Sequence, residues 1–313
     1  MDTTVDVVLP VFALVAVGYA VGRTRLLGDG GVQGISNFVF YVAIPTLLFR
    51  TMSRIELPEI GSLGIVFAYF GGCLLVFPVA ALAGRLLFGI GRDERAVMGM
   101  GAVFSNTVLL GIPLIFTAFG EDGVIAIMLI VAFHSITLIS LPTILLEVAR
   151  GERGRSGRVI GSTLSALARN PVIVAMLAGL AYGGLGFTLP APVDRFAGLM
   201  SGAAAPCALF ALGASLAGYR IAGSLRETFT LIGFKLLVHP VAVWLLGRYV
   251  FDLAPLWLAV ATITAALPVG ANVFVLARRY DVYVQRATSA TLISTALSVV
   301  SLAVLIACFA PTG

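Results

Sequence analysis

PVFALVAVGYAVG at residues 10–22 recurs as PVIVAMLAGLAYGG at residues 171–184, a step of 161 that lays Pro10 on Pro171, Gly18 on Gly179 and Gly22 on Gly183. The same step lays AIPTLLF around Pro45 on AAPCALF around Pro206, and FPVA around Pro78 meets HPVA around Pro240 at 162. Self-similarity at a fixed long period marks an internally duplicated fold. Small apolar helices share Gly and Pro by composition, but three prolines in register argue for duplication. Residues 1–149 are therefore expected to form one repeat and residues 170–313 a second, joined by a polar linker at residues 150–169.

What each repeat contains follows from composition. The chain has 313 residues, 59% of them hydrophobic and 11% charged, with a mean hydropathy of +1.06. An ordinary soluble domain is roughly 25% charged. A water-soluble globule is excluded, and apolar runs of about twenty residues point to a bilayer. Gly, Pro and charge divide these runs into ten expected spans. The first five cover residues 5–22, 33–50, 62–88, 95–119 and 123–149, and the second five 170–187, 193–217, 227–250, 255–278 and 284–309. Five is odd, so the second repeat enters the membrane upside down. The fold class predicted is an all-α membrane protein of ten transmembrane helices in two inverted five-helix repeats, an architecture of secondary transporters with the substrate site near the midplane.

With the N-terminus outside, the loops after the odd-numbered spans hold fifteen of the arginines and the other face holds four. The positive-inside rule then places both termini outside and the linker in the cytoplasm of a multi-pass protein of the cytoplasmic membrane. Because the basic residues are scattered between apolar runs, the net charge of +5 marks topology and calls for no nucleic-acid partner. Cys73, Cys207 and Cys308 sit apart within apolar runs, so no metal site or cofactor is expected. The first apolar run has no basic residues before it and no small-residue cleavage pattern after it, so it is expected to be retained. No HExxH, GxSxG or phosphate-loop motif is present, and the chain is not expected to be an enzyme.

The fourth and ninth spans carry breakers. In FSNTVLLGIPLIFTAFG, residues 104–120, Pro113 should free the carbonyl of Leu109 beside Gly111; in ALPVGANVFVLARRY, residues 266–280, Pro268 should do the same to Thr264. Freed backbone groups in hydrocarbon need protein or a wet cavity to satisfy them. A pair of broken helices that cross meets that need, and their half-helix N-termini offer N–H groups and partial positive charge to an anion. Asn106 and Asn272 lie close to these prolines, where an amide either holds substrate or caps the broken helix. Thr262 and Thr264 read as interhelical hydrogen-bonding groups.

The strings NFVFYVAIPTLLF at 37–49, SNTVLLGIPL at 105–114 and ALPVGANVFVLARRYDV at 266–282 resemble the auxin efflux carrier family, which includes plant auxin exporters and bacterial transporters of small carboxylates. The resemblance runs along the whole chain. It implies a homodimeric ten-helix carrier with crossing helices four and nine, an elevator-like motion and a small carboxylate held at the crossover. By motif it places Asn106, Thr107, Pro113 and Pro268 there, and Asn37 falls in the first of the three strings.

Lys235 in LIGFKLLVHP is the only lysine, and His239 follows four residues on, on the same helical face. An ammonium within a span costs about 2.5–3.5 kcal/mol on insertion scales and calls for a partner or a function. Lys235 is expected either to act in coupling or charge compensation with His239, or to snorkel to the headgroups or neutralise a carboxylate such as Glu147. His134, among Ser135, Thr137 and Ser140, reads as an interhelical hydrogen bond. The functional expectation is a secondary active transporter of a small organic anion. The alternatives are a sodium- or proton-coupled organic acid symporter, and a non-transporting anion sensor on the same fold.

Overall fold

The computed structural model describes residues 2–24, 26–54, 63–149, 165 and 168–309. Most of the linker expected at 150–169 lies outside the described residues. The helices are α1 (Asp2–Thr24), α2 (Gly28–Phe38), α3 (Ile44–Met52), α4 (Gly64–Phe88), α5 (Arg92–Val103) and α6 (Ile112–Ala149) in the first half of the chain. After them come α7 (Pro171–Gly184), α8 (Ala191–Leu216), α9 (Leu225–Gly233), α10 (His239–Tyr249), α11 (Pro255–Ala266), α12 (Ala271–Tyr280) and α13 (Val284–Phe309). Seven helical stretches among the described residues are long and apolar enough to cross a membrane, and α7 and α11 are shorter apolar helices. The protein is a multi-pass, all-helical membrane protein. One of the seven stretches, Thr107–Glu147, is divided at Gly120, whose φ of 64° and ψ of −153° suit glycine alone. That is the boundary expected between the fourth and fifth spans.

Proline shapes three of the helices through wide π turns. Val39–Ala43 precedes Pro45, Thr107–Gly111 precedes Pro113 and Phe234–Val238 precedes Pro240, each turn ending two residues before its proline. The residue just before Pro45, Ile44, sends its N–H back five residues to the Val39 carbonyl, and His239 before Pro240 reaches Phe234 in the same way. Widening the turn moves the proline ring off the carbonyl it would strike in an α-helix. This corrects the expectation for Pro113. The fourth span accommodates Pro113 in a π turn and breaks instead at Phe104–Asn106, where α5 ends in extended backbone.

The chain forms two compact units, each drawing on both sequence halves. The first comprises Met1–Leu63, Val108–Met128 and Ala166–Gly218, and the second Gly64–Thr107, Leu129–Ser165 and Tyr219–Gly313.

In the first unit α1 packs on α8 and α3 packs on α7. Glycine makes both contacts close. A Cβ on Gly18 would stand 2.1 Å from the Phe210 carbonyl oxygen, and one on Gly179 would stand 2.7 Å from that of Phe49. Gly22 faces Ala214 O at 2.7 Å, and Gly183 faces Ser53 O at 2.6 Å. The 161-residue step that carries Gly18 to Gly179 also carries Phe49 to Phe210, and it relates the second pair of contacts in the same way. Arg50 and Arg54 of this unit share Asp194, with Arg50 Nε 2.9 Å from Oδ1.

In the second unit α4 packs on α5 and α10, α10 on α11, and α13 on α9 and α11. At one end Arg286 lies 3.0 Å from Glu94 and 2.8 Å from Glu227, linking the first turns of α5, α9 and α13. The Tyr283 ring lies 4.9 Å below the Arg286 guanidinium. Burial, and after it the neighbouring Glu227 carboxylate, holds the Tyr283 phenol well above its ordinary pKa.

Candidate functional site

Within the second unit the end of α5 meets the end of α11. Both helices stop in extended backbone, with Phe104 at φ −79°, ψ 108° and Leu267 at φ −58°, ψ 150°. Ser105 and Val269 form an antiparallel bridge. Asn106 N–H donates to Pro268 O at 3.0 Å, and Gly270 N–H donates to Phe104 O at 2.9 Å. Two interrupted helices thus satisfy part of each other's freed backbone, as hydrocarbon demands. Val269 N–H donates to Ser294 Oγ at 3.0 Å, and Ser105 N–H to His134 Nε2 at 3.4 Å. His134 therefore makes the interhelical hydrogen bond expected of it.

Ser105 is the hub beneath the bridge. Its hydroxyl donates to Thr264 O at 2.7 Å, the carbonyl that Pro268 was expected to free. The same oxygen accepts from Tyr69 Oη at 3.0 Å and from Lys235 Nζ at 2.8 Å. One donor and two acceptor positions are all a hydroxyl has, so Ser105 is fully used.

Lys235 sits on the Phe234–Val238 π turn and is fully buried. Nζ donates to Ser105 Oγ and Ala265 O and lies 3.3 Å from His239 Nδ1. Three partners match the three N–H groups of an ammonium. His239 Nε2 lies 3.3 Å from Cys73 Sγ. Both alternatives for Lys235 other than charge compensation are corrected by this geometry. A side chain with no exposed surface does not snorkel, and among the described residues no ion pair joins Lys235 to Glu147 or to any other acid.

The remaining expected residues fall in several places. Asn106 is 6% exposed, and its amide Nδ2 has no hydrogen-bond partner among the described residues. Thr107 is buried beside it, and Pro268 supplies the carbonyl that holds the Asn106 backbone. Asn272 lies in the first turn of α12, two residues past Gly270, with its side chain exposed. Asn37 and Pro113 belong to the first unit: Asn37 is exposed on α2 and accepts from Gln33 Nε2 at 2.8 Å, and Pro113 opens α6. Ser105, Tyr69 and Ser294 escaped the sequence reading, and Cys73 entered it only as an isolated cysteine. Only Ser105 left a signal there, as the neighbour of Asn106 in the SNT string.

A multi-pass membrane protein with paired helix breaks over a buried, hydrogen-bonded lysine fits a transporter. The profile of the family described as "Membrane transport protein" matches residues 3–306, and the chain belongs to this family of membrane transporters. It is 29% identical over 299 residues to a Rhizobium meliloti protein named "Putative malonate transporter", covering 96% of this chain and 93% of that one. An "Uncharacterized transporter" of Methanothermobacter thermautotrophicus is 26% identical over 304 residues, 95% of each chain. A mouse protein named "Lysosomal cholesterol signaling protein" is 24% identical over 314 residues, which are 93% of this chain and 36% of the mouse protein.

Proposed function

We propose that this chain is a secondary active transporter that moves a small organic anion, a carboxylate of the malonate or auxin-like size, across the cytoplasmic membrane. The observation that carries this reading is Lys235, a fully buried lysine that pairs with no acid among the described residues and lies directly under the bridged helix breaks. A buried charge needs compensation, and a carboxylate bound at the breaks supplies it. Asn106, whose amide Nδ2 has no partner among the described residues, and Thr107 would contact the anion, with Pro268 shaping the backbone and Asn272 at the α12 N-terminus. The three donors of Lys235 are spent on the protein, so it acts through charge, with His239 positioning it.

The larger frame of the proposal is a ten-span fold of two inverted repeats, with both termini outside and residues 150–169 in the cytoplasm. In support, the 161-residue step relates contacts as well as sequence in the first unit. The division into two compact units supports an elevator-type motion, in which the unit holding the breaks carries the substrate; the homodimer is proposed from the family resemblance.

Flux tests the reading. The purified chain in sealed liposomes should accumulate a labelled carboxylate, malonate being the first to try from the name of the bacterial relative. A sodium or proton gradient applied in turn separates uncoupled transport from the coupled symporter. Binding without flux across the whole carboxylate set would overturn the proposal in favour of a sensor, the reading that the name of the mouse relative favours.

A further inference from the structure

Away from the helix breaks, the second unit has a groove of about 570 Å³ between α4, the start of α5 and the later part of α6. Leu74, Phe77 and Leu82 of α4 form one wall, and Leu141 and Leu145 of α6 form the other. Three of these leucines, Leu74, Leu82 and Leu145, are exposed, so the groove opens outward. Arg92 and Arg95, one helical turn apart on α5, line the same groove. Arg92 is exposed and has no hydrogen-bond or ion-pair partner among the described residues, while Arg95 spends only its Nε, on Gly91 O at 3.3 Å. Two acids, Asp93 and Glu94, lie between them in sequence, and Glu94 is turned to Arg286 and to the Gly91 N–H. Arg85, in the last turn of α4, adds a third exposed guanidinium nearby in sequence.

An apolar groove ending in two guanidiniums is complementary to one kind of membrane component. We infer that this groove is a binding site for an anionic phospholipid, with one acyl chain lying between α4 and α6 and the headgroup phosphate held by Arg92 and Arg95. Guanidinium pairs with phosphate through two parallel hydrogen bonds, and basic pockets between spans select anionic headgroups. A zwitterionic lipid offers the same chains with a cation beside the phosphate, and is disfavoured there. The segment that follows α6 in sequence carries Arg150, Arg153, Arg155 and Arg158 against the single acid Glu152. Its charge matches the sign of the groove's end, so it does not suit the site as occupant.

Native mass spectrometry of the detergent-purified full chain, titrated with phosphatidylglycerol or phosphatidylcholine, tests the site. Phosphatidylglycerol should bind more tightly, with one molecule retained at the highest affinity, and glycerol phosphate without chains should not compete at equal concentration. The Arg92→Gln/Arg95→Gln double variant should lose about twenty- to thirtyfold in phosphatidylglycerol affinity, at roughly fivefold for each basic residue. Arg92→Lys/Arg95→Lys should keep most of it. Ala81→Trp, which fills the groove and leaves both arginines, should also lose binding. Equal affinity for the two lipids, unchanged phosphatidylglycerol binding in Ala81→Trp, or competition by glycerol phosphate would each overturn the assignment. Should the glutamine variant not fold, the lysine and tryptophan variants still decide it.

Discussion

Lys235 and Ser105, 130 residues apart in the chain, meet at 2.8 Å in a fully buried contact beneath the bridge between the two helix breaks. This contact ties the only lysine of the protein to the backbone that the breaks expose.

Lys235→Met should separate charge from packing. Replacing a buried charge by an apolar group of similar length is often neutral for stability, although Ala265 O loses its partner. The melting temperature should fall by no more than a few degrees while carboxylate uptake in proteoliposomes falls at least tenfold. Uptake at the wild-type rate, with the same pH dependence, would remove Lys235 from the transport cycle.

Ser105→Ala and Asn106→Ala should behave oppositely. The first leaves Thr264 O with only the longer of its two hydrogen bonds, from Leu267 N–H at 3.4 Å, and removes the acceptor shared by Tyr69 and Lys235, at about 1–3 kcal/mol for an unsatisfied buried group. The second removes an amide nitrogen that has no partner among the described residues, so stability should hold or rise. Affinity for the carboxylate should nevertheless drop about tenfold or more, the loss of one charge-assisted hydrogen bond. Thermal melts and a binding titration on the same two variants check both statements.

Gly18→Ala and Gly179→Ala each push a methyl group into a facing carbonyl, at 2.1 Å and 2.7 Å. Packed helices must separate to admit it, at a cost of about 1–3 kcal/mol. Both variants should melt lower than wild type, Gly18→Ala by more. Gly34→Ala on α2, where nothing lies within 4 Å, is the control, and should be neutral or stabilising by up to about 1 kcal/mol.

Arg286→Ala leaves Glu227, 8% exposed, without its cation. Fully buried pairs broken this way lose about 3–5 kcal/mol; with Arg286 26% exposed the loss should be nearer 2 kcal/mol. Tyr283 beside it adds an alkaline signature. Its phenol titrates higher when folded than when unfolded, so the folded state holds the proton longer. Stability from this group is complete below about pH 10, where a free tyrosine titrates, and declines as pH rises beyond that. Tyr283→Phe should flatten the alkaline end of the melting curve.

The multi-pass, all-helical character and the division at Gly120 were legible in the sequence because hydrophobic length and glycine placement carry them. Pro113 misled for a physical reason: a π turn absorbs a proline without ending the helix, so a proline alone does not locate a break. The break at Phe104–Asn106 has no proline or glycine in it; its partner segment does, at Pro268 and Gly270, and the two are stabilised only together. Lys235 stood out because a lysine in an apolar run is costly, whereas its partner Ser105 is an ordinary residue whose role depends on atoms from four other segments.

The reciprocal glycine contacts of the first unit also bear on how the protein is made. α1 and α3 find their close-packed partners only in α8 and α7, which leave the ribosome some 160 residues later, on the order of ten seconds at cellular elongation rates. Through that interval α1 has its Gly18 and Gly22 face unmatched, and α3 lacks the Gly179 and Gly183 face that packs on it. Assembly of the first unit is therefore a late event in synthesis, and a chain truncated before α7 would hold α1 and α3 with nothing to receive them.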